Sequence, residues 1–274
     1  MNALSIDVEE YYHGVEFEAA VPADRRHLLP SRVEETVERV LALLSRFDTR
    51  ATFFVVGKVA EAHPRMVQRI AAMGHEIACH SYAHELVFRL SPRAFQEDLR
   101  KARTLLEDLS QGKVQGYRAP NYSIGPSQAW AYDILLEEGF RYDSSVYPVR
   151  HDRYGDPNAP RFPYAIHEDL IEFPIGTVRR CGLNLPIGGG GYFRLFPTSW
   201  FERAIRSVNE DEHKPVMFYF HPWEMDPEQP RPKMPPHHRF RHYVNLHRFE
   251  SKVETLLSHV KFSPASEVLG LPRS

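Results

Sequence analysis

Gly74-His75-Glu76-Ile77-Ala78-Cys79-His80-Ser81-Tyr82-Ala83-His84 is the stretch from which the rest of the chain can be read. A short apolar run, Ile77 to Cys79, follows Gly74 and ends in two histidines four residues apart. It reads as a buried strand, Glu76 to Cys79, that delivers His80 at its C-terminal end. Two imidazoles at this spacing on one helical turn point the same way and can grip one metal ion. Ser81 stands where the glutamate of the H-E-x-x-H metalloprotease pattern would be. With 15 histidines in the chain a pair is unremarkable by itself, so a metal site needs a third ligand, a base and an acid from elsewhere.

Working outward, the same unit recurs. Leu4 to Val8 reads as a buried strand ending among acids, Asp7, Glu9 and Glu10, with Tyr11-Tyr12-His13 after it. Carboxylates at the C-terminal end of a strand sit where α/β barrels place their chemistry; a solvated acidic turn is the plain alternative. Residues 14 to 30 read as a loop. Ser31-Arg32-Val33-Glu34 has the spacing of a capping box, opening a helix with Val33, Val37, Val40, Leu41 and Leu44 on one face. Ala51 to Val56 is the next strand, ended by Gly57, and Pro64 opens a helix stopped by Gly74. Ser91-Pro92 starts a helix to about Leu109. Val114 to Tyr117 is a strand leading into Arg118-Ala119-Pro120-Asn121, a helix spans roughly Pro126 to Glu138, and Phe140 to Ser145 is again strand followed by polar residues. Alternating β and α segments predict an α/β fold with a parallel sheet or barrel.

Residues Tyr147 to Pro174, rich in Pro, Arg, Asp and His, read as a long excursion within one domain. Ile171–Ile175 and Val178–Leu185 have strand composition. The run Gly188-Gly189-Gly190-Gly191-Tyr192-Phe193-Arg194 suggests a tight loop approaching a ligand, but lacks the phosphate-loop spacing. Trp200 to Val208 is a helix, Val216 to Phe220 a strand ending in His221-Pro222-Trp223-Glu224, and Pro227 to Pro236 a proline-rich loop. Phe249 to Leu257 is a last amphipathic helix, and Val260 to Phe262 a last strand.

Composition excludes several classes. A formal net charge of −2 and a pI near 6.7 give no reason to expect nucleic acid as a partner. Two cysteines, Cys79 and Cys181, are too few and too far apart for a disulfide framework or a cysteine metal site. No apolar run approaches ~18 residues, and Met1-Asn2-Ala3 runs straight into the first strand, so a soluble chain without export signal is expected, cytoplasmic or at the inner face of the membrane.

Five polar clusters thus fall at strand ends: Asp7/Glu9, His80/His84, Arg118-x-Pro120, Asp143 and His221. In this order, with Thr52-Phe53-Phe54, Gly57 and Gly74-His75-Glu76-Ile77, they resemble the polysaccharide deacetylases of carbohydrate esterase family 4, which share the NodB homology domain, over about residues 3 to 269. Ser5-Ile6-Asp7-Val8-Glu9-Glu10-Tyr11, Asp143 to Pro148, Gly188 to Arg194 and His221 to Glu224 look like the subgroup encoded beside exosortase and exopolysaccharide genes. The resemblance implies a single-domain, irregular (β/α) barrel with fewer strands than eight over residues 1–274, with a subgroup-specific part from about residue 147.

It also implies a metal-dependent N-deacetylase acting on N-acetylhexosamine units of a bacterial exopolysaccharide or its lipid-linked precursor, with Zn²⁺ as the metal and Co²⁺ or Ni²⁺ as alternatives. His80 and His84 match the histidine ligands. The usual second aspartate of the first motif is replaced by Val8, so by analogy with acid-x-acid members Asp7 is the base and Glu9 the third ligand; residues two apart on a strand share a face. A swapped assignment, or use of Glu10, stays open. Arg118 matches the arginine that holds the base, the backbone N–H of Asn121 the oxyanion donor, and His221 the general acid, with Asp143 tuning it. Tyr12, Tyr192, Phe193 and Trp223, with Tyr122 behind them, are candidates to stack on sugar rings, and Arg194 and Glu224 to contact substrate, with structural pairing and core packing as the alternatives. The basic stretch His237 to His242 suits an acidic glycan, a membrane-bound assembly or another subunit. The rival readings are an allantoinase-like hydrolase of small-molecule C–N bonds, and a non-catalytic, metal-stabilised glycan-binding protein.

Overall fold

The alternation along the first strand sets the architecture. Leu4, Ile6 and Val8 join the core between sheet and helices, whereas Ala3 joins a second cluster inside the sheet's curl, and Ser5 and Asp7 on the same face bond there to Arg118. A computed structural model describes residues 1–17, 20–152 and 154–272. The first half contains β1 (Asn2–Val8), α1 (Val33–Arg46), β2 (Thr52–Val55), α2 (Gly57–Ala62), α3 (Pro64–Ala72), β3 (Glu76–Cys79), α4 (Pro92–Ser110), β4 (Gly116–Tyr117), α5 (Trp130–Glu137) and β5 (Tyr142–Asp143). The second contains β6 (Tyr164–His167), β7 (Leu170–Glu172), β8 (Thr177–Arg180), β9 (Leu183–Pro186), α6 (Gly190–Leu195), α7 (Thr198–Asp211), β10 (Met217–Phe220), α8 (Pro236–Tyr243), α9 (Phe249–His259), β11 (Phe262–Ser263) and α10 (Ala265–Val268).

The main sheet runs in the order β10-β1-β2-β3-β4-β5-β7-β6, with β11 also on β1. All its pairs are parallel except β6 with β7. The sheet curls without closing, a half-barrel, and so matches the irregular barrel expected. Helices pack on its outer face through the Leu4/Ile6/Val8, Phe53/Val55 and Ile77/Cys79 rows. Inside the curl, Phe54, Ala78, Tyr142, Met217 and Tyr219 pack together. Among the described residues no helix is long and apolar enough to cross a membrane. Both cysteines are free.

At the N-terminal end of the strands the curl is closed by a polar knot. Buried Glu76 accepts from Thr52 Oγ1 (2.5 Å), Tyr142 Oη (2.9 Å) and the Ser266 N–H (3.1 Å). Thr52 Oγ1 in turn accepts from the Ala265 N–H at 2.7 Å, so α10 is tied beneath the sheet. Burial pushes the Glu76 carboxyl up.

Several sequence expectations are corrected. Ser31 does not cap α1: its hydroxyl bonds Glu10 instead, and the Glu10 carboxylate accepts the Arg32 N–H at 3.1 Å, doing the capping from outside the helix. β2 stops before Gly57, as expected, and Gly57 also begins α2, where a Cβ would lie 2.5 Å from the Tyr82 ring. The expected loop at 14–30 contains 3-10 turns at Val15–Phe17 and Ala23–Leu28, with residues 18 and 19 outside the described ones. The excursion after Tyr147 returns as the β6–β7 hairpin on the sheet edge, and the Val178–Leu185 strand is a separate two-stranded hairpin, β8–β9. The glycine run is no loop tip: a Cβ on Gly188 would meet the Met217 carbonyl at 2.6 Å, and α6 starts at Gly190.

The tightest test of this packing is Gly116 in β4, where a Cβ would sit 2.1 Å from Tyr142 Cζ. Tyr142 is fully buried and pinned by Glu76. Gly116→Ala is expected to lower stability by about 1–3 kcal/mol through overpacking, read as a lower midpoint in urea unfolding at unchanged slope. An unchanged midpoint would mean that the knot yields easily.

Candidate active site

Strand alternation carries the polar residues to one place. Asp7 and Glu9 continue the inward row of β1, His80 that of β3, Arg118 that of β4, Ser144 that of β5 and His221 that of β10. All lie at the C-terminal ends of the strands.

Arg118 is fully buried at the centre. Its Nη1 donates to Asp7 Oδ1 (2.6 Å) and Ser5 Oγ (2.9 Å), Nη2 to Ser144 Oγ (2.8 Å) and Nε to the Ser144 carbonyl (3.1 Å). Its guanidinium lies 4.2 Å from the Phe54 ring centroid. Burial alone would weaken its proton affinity, but the Asp7 charge outweighs that and raises it. Ser5 and Ser144, both missed by the sequence reading, carry a signal in hindsight: Ser5 is two residues before Asp7 on the same face.

Beside this pair, Glu9, His80 and His84 bring one donor atom each within 4.8 Å of one another. His84 Nε2 stands 2.7 Å and His80 Nε2 4.0 Å from Glu9 Oε2. Nδ1 of His80 lies 2.7 Å from the Arg118 carbonyl, which can only accept, so this nitrogen carries the proton and Nε2 offers its lone pair. Buried His84 Nε2 has no aligned hydrogen bond among the described residues despite its closeness to Glu9. The bare His80 Nε2, the His84 Nε2 and a carboxylate oxygen, gathered within 4.8 Å of one another, form a donor set suited to Zn²⁺ or a similar divalent ion. The histidine pair is not on a helical turn, as the spacing suggested. It lies on a loop in which Ser81 and His84 have φ of 63° and 59°. Ser81 Oγ accepts the His84 N–H (2.8 Å), and Asp98 of α4 accepts those of Tyr82 (2.7 Å) and Ala83 (3.0 Å), so the loop is fixed by its own serine and a neighbouring helix. Glu10, capping α1, faces away from this set.

Electrostatics follow the burial. Burial would raise the Glu9 carboxyl, but His84 and His221 beside it hold it well below the usual range. Burial pushes the His80 imidazole down to about 4. His13, stacked on His84 at 5.0 Å and 16°, falls to about 3 through burial and the neighbouring His84. His221 moves the other way: burial lowers it, yet Glu9 and Glu224 outweigh this and raise it to about 9. Its Nε2 is 3.7 Å from Glu9 Oε1 and its Nδ1 3.2 Å from Glu224 Oε2.

A cavity of about 450 Å³ opens over these groups, lined by Asp7, Glu9, His80, Asn121, Tyr122, Tyr219 and His221 with Tyr192, Arg194 and Trp223. Phe240 and Arg241, from the basic stretch His237 to His242, also line it, as does Arg150, which the sequence reading did not single out. Tyr219 precedes His221 by two residues, the alternation that could have revealed it.

The remaining expectations divide. Asn121 lines the cavity with φ of 51°. Tyr192 is half-buried in its wall. Trp223 lies between the His221 and His242 rings, at 5.1 and 4.4 Å, and its Nε1 donates to Glu9 Oε1 at 3.2 Å, so it is a wall rather than an open sugar platform. Arg194 is buried and committed: Nη1 to the His242 and Val244 carbonyls, Nη2 to that of Arg241, Nε beside Glu224. Phe193 does not reach the cavity; it packs edge-on to Phe201 and Phe218 in the core. Tyr12 lines a separate groove beyond His84, shared with His13, Lys58 and Asn121. Asp143 does not meet His221. It lies on the outer face of β5, with the wrong parity, and accepts from Ser145 Oγ at 2.6 Å beside Glu172. Burial and the Asp143 charge push the Glu172 carboxyl well up.

The profile of the family described as Polysaccharide deacetylase matches residues 27–133, and that of a domain of unknown function, DUF3473, matches residues 144–270. A peptidoglycan deacetylase-like protein of Gibberella zeae is 36% identical over 112 residues, 40% of this chain and 32% of that protein. A peptidoglycan deacetylase of Helicobacter pylori is 29% identical over 41% of this chain and 38% of its own length. A chitooligosaccharide deacetylase of a Bradyrhizobium species is 32% identical over 35% and 42%. The chain thus aligns with between about a third and two fifths of the length of these relatives. Among solved structures, a putative polysaccharide deacetylase from Mycobacterium smegmatis superposes with a TM-score of 0.63 at 20% identity, over 99% of this chain and 92% of that one. An allantoinase superposes with 0.62 at 16%, over 97% and 87%, and both likenesses speak to the fold alone. Residues 27–133 thus resemble polysaccharide deacetylases in sequence, and the superposed structures share the half-barrel fold.

Proposed function

We propose that this protein is a metal-dependent hydrolase, a single functional unit, that removes N-acetyl groups from N-acetylhexosamine units of a glycan, a bacterial exopolysaccharide or its lipid-linked precursor. The observation that carries the reading is the convergence on one cavity of a ligand set, Glu9/His80/His84, a carboxylate held by a buried arginine, Asp7, and a histidine opposite, His221. Relatives named as peptidoglycan and chitooligosaccharide deacetylases support the reaction class. The cavity is large enough for a sugar unit.

Glu9, His80 and His84 would hold the ion, which when bound would supply a Lewis acid and a water whose pKa is lowered to about 7. Asp7 takes the proton of the attacking water. Its Oδ1 is engaged by Arg118, which orients the carboxylate, and its other oxygen is the acceptor. The Asn121 N–H donates to the developing oxyanion. His221 gives a proton to the leaving nitrogen as the C–N bond breaks, so acetate and a free amine result. Tyr192 of the cavity wall stacks on the sugar.

Elemental analysis of the purified protein is expected to find about one divalent ion per chain, lost in the His80→Ala/His84→Ala double variant. No metal even after addition of Zn²⁺ or Co²⁺ would sink the mechanism and favour the non-catalytic reading. Asp7→Asn keeps an acceptor for Arg118 but loses the base. It is expected to lower kcat for acetate release from N-acetylglucosamine oligomers by about 10²–10⁴-fold while retaining the metal and glycan binding. Ring-opening hydrolysis of cyclic ureides with no acetate released from the oligomers would instead support the small-molecule reading.

A further inference from the structure

We propose that Glu224, clamped by Arg194, is the positioning carboxylate of His221, the task that sequence order would give to Asp143. What His221 does rests on the deacetylase reading above; what Glu224 does to it rests on geometry.

A histidine that donates a proton from one ring nitrogen needs the other nitrogen protonated and held, or the ring swivels and the tautomer is unfixed. Glu224 meets that need at short range. It sits on the 3-10 turn Pro222–Met225, three residues after His221 and 1% exposed. Its Oε2 accepts the backbone N–H of His221 at 3.0 Å and faces the ring Nδ1 at 3.2 Å. A carboxylate oxygen only accepts, so Nδ1 carries the proton and Nε2 is turned toward Glu9 and the cavity. The Trp223 ring stacks on the same imidazole at 19° and limits its rotation.

A carboxylate buried this deeply stays ionised only beside a cation. Arg194 is that cation, with Nε 2.9 Å from Glu224 Oε1. It is itself immobilised, since its terminal nitrogens donate to the carbonyls of Arg241 (3.1 Å), His242 (2.6 Å) and Val244 (3.1 Å) at the C-terminal end of α8. The seat exists because residue 190 is glycine: a Cβ there would fall 2.1 Å from Glu224 Oε2. Gly190 opens one short helix, α6, and Arg194 lies in its last turn, so the glycine run and the His-Pro-Trp-Glu segment form one device. Asp143 cannot substitute, being on the outer face of its strand and engaged with Ser145.

The test combines a spectroscopic and a kinetic readout on the metal-loaded protein. With ¹⁵N-histidine labelling, His221 of the wild type is expected to show a protonated, hydrogen-bonded Nδ1. In Glu224→Gln that signal is expected to shift or vanish with metal content unchanged. The same variant is expected to lose kcat on N-acetylglucosamine oligomers by about 10–100-fold at similar KM. On 4-nitrophenyl acetate, whose leaving group needs no proton, the loss is expected to stay under about threefold. Equal losses on amide and ester with metal retained, no loss on either, or a wild-type His221 protonated at Nε2 alone would each overturn the proposal. Should Glu224→Gln fail to fold, the wild-type tautomer decides. Should the wild type release no acetate from any N-acetylated glycan, the deacetylase reading falls, while the tautomer still decides whether Glu224 positions His221.

Discussion

One buried charge organises this molecule. The Arg118 guanidinium is wholly removed from water, a state of several kcal/mol unless a counter-charge and full hydrogen bonding offset it. Asp7 supplies the charge, and Ser5 and Ser144 the remaining acceptors. These come from β1 and from the end of β5, two strands on opposite sides of β4, so the cation can be satisfied only when the sheet curls. The curl that solves this electrostatic problem is also what brings the ends of β1, β3 and β10 around one cavity. Fold and candidate chemistry here share a cause.

Around that centre, each polar side chain is held by a partner that leaves one face free. His80 gives its Nδ1 proton to the Arg118 carbonyl and keeps Nε2 open. Asp7 commits one oxygen to Arg118. Glu9 accepts from Trp223 on one oxygen and meets the histidines with the other. Preorganisation of this kind costs nothing at the moment of reaction, because the dipoles are already set.

Much of this was legible in the sequence, for reasons that differ from residue to residue. The strands and the ends that bear Asp7, Glu9, His80, Arg118 and His221 were readable because apolar runs and the residues that follow them are local patterns. The face of a strand was less so. Asp143 occupies the expected strand end, yet parity sends it outward, and motif order alone cannot tell 143 from 144. Ser31 has the spacing of a cap but prefers Glu10, a choice made by a partner 21 residues away. Phe193 beside four glycines reads equally as a sugar platform or as core, and the second holds: the glycines serve close backbone packing and the aromatic fills the core. Helix α8 hid in a proline-rich, histidine-rich stretch with little amphipathic pattern, and its contribution, three carbonyls to Arg194, is one that side-chain identity does not encode.

The first strand of the sheet is also among the last to be completed. β1 lies between β2 and β10, and the Val216 N–H donates to Asn2 Oδ1 across 214 residues of sequence. Its floor is sealed by α10, through Ser266 and Ala265. During synthesis, therefore, β1 waits, with one hydrogen-bonding edge unpaired, until Val216, 214 residues beyond Asn2, has left the ribosome. Contacts of such long range make for slow folding. Asp7 and Glu9 on that strand meet His221 only when β10 closes on β1, so the candidate site is assembled in the same event that buries the edge.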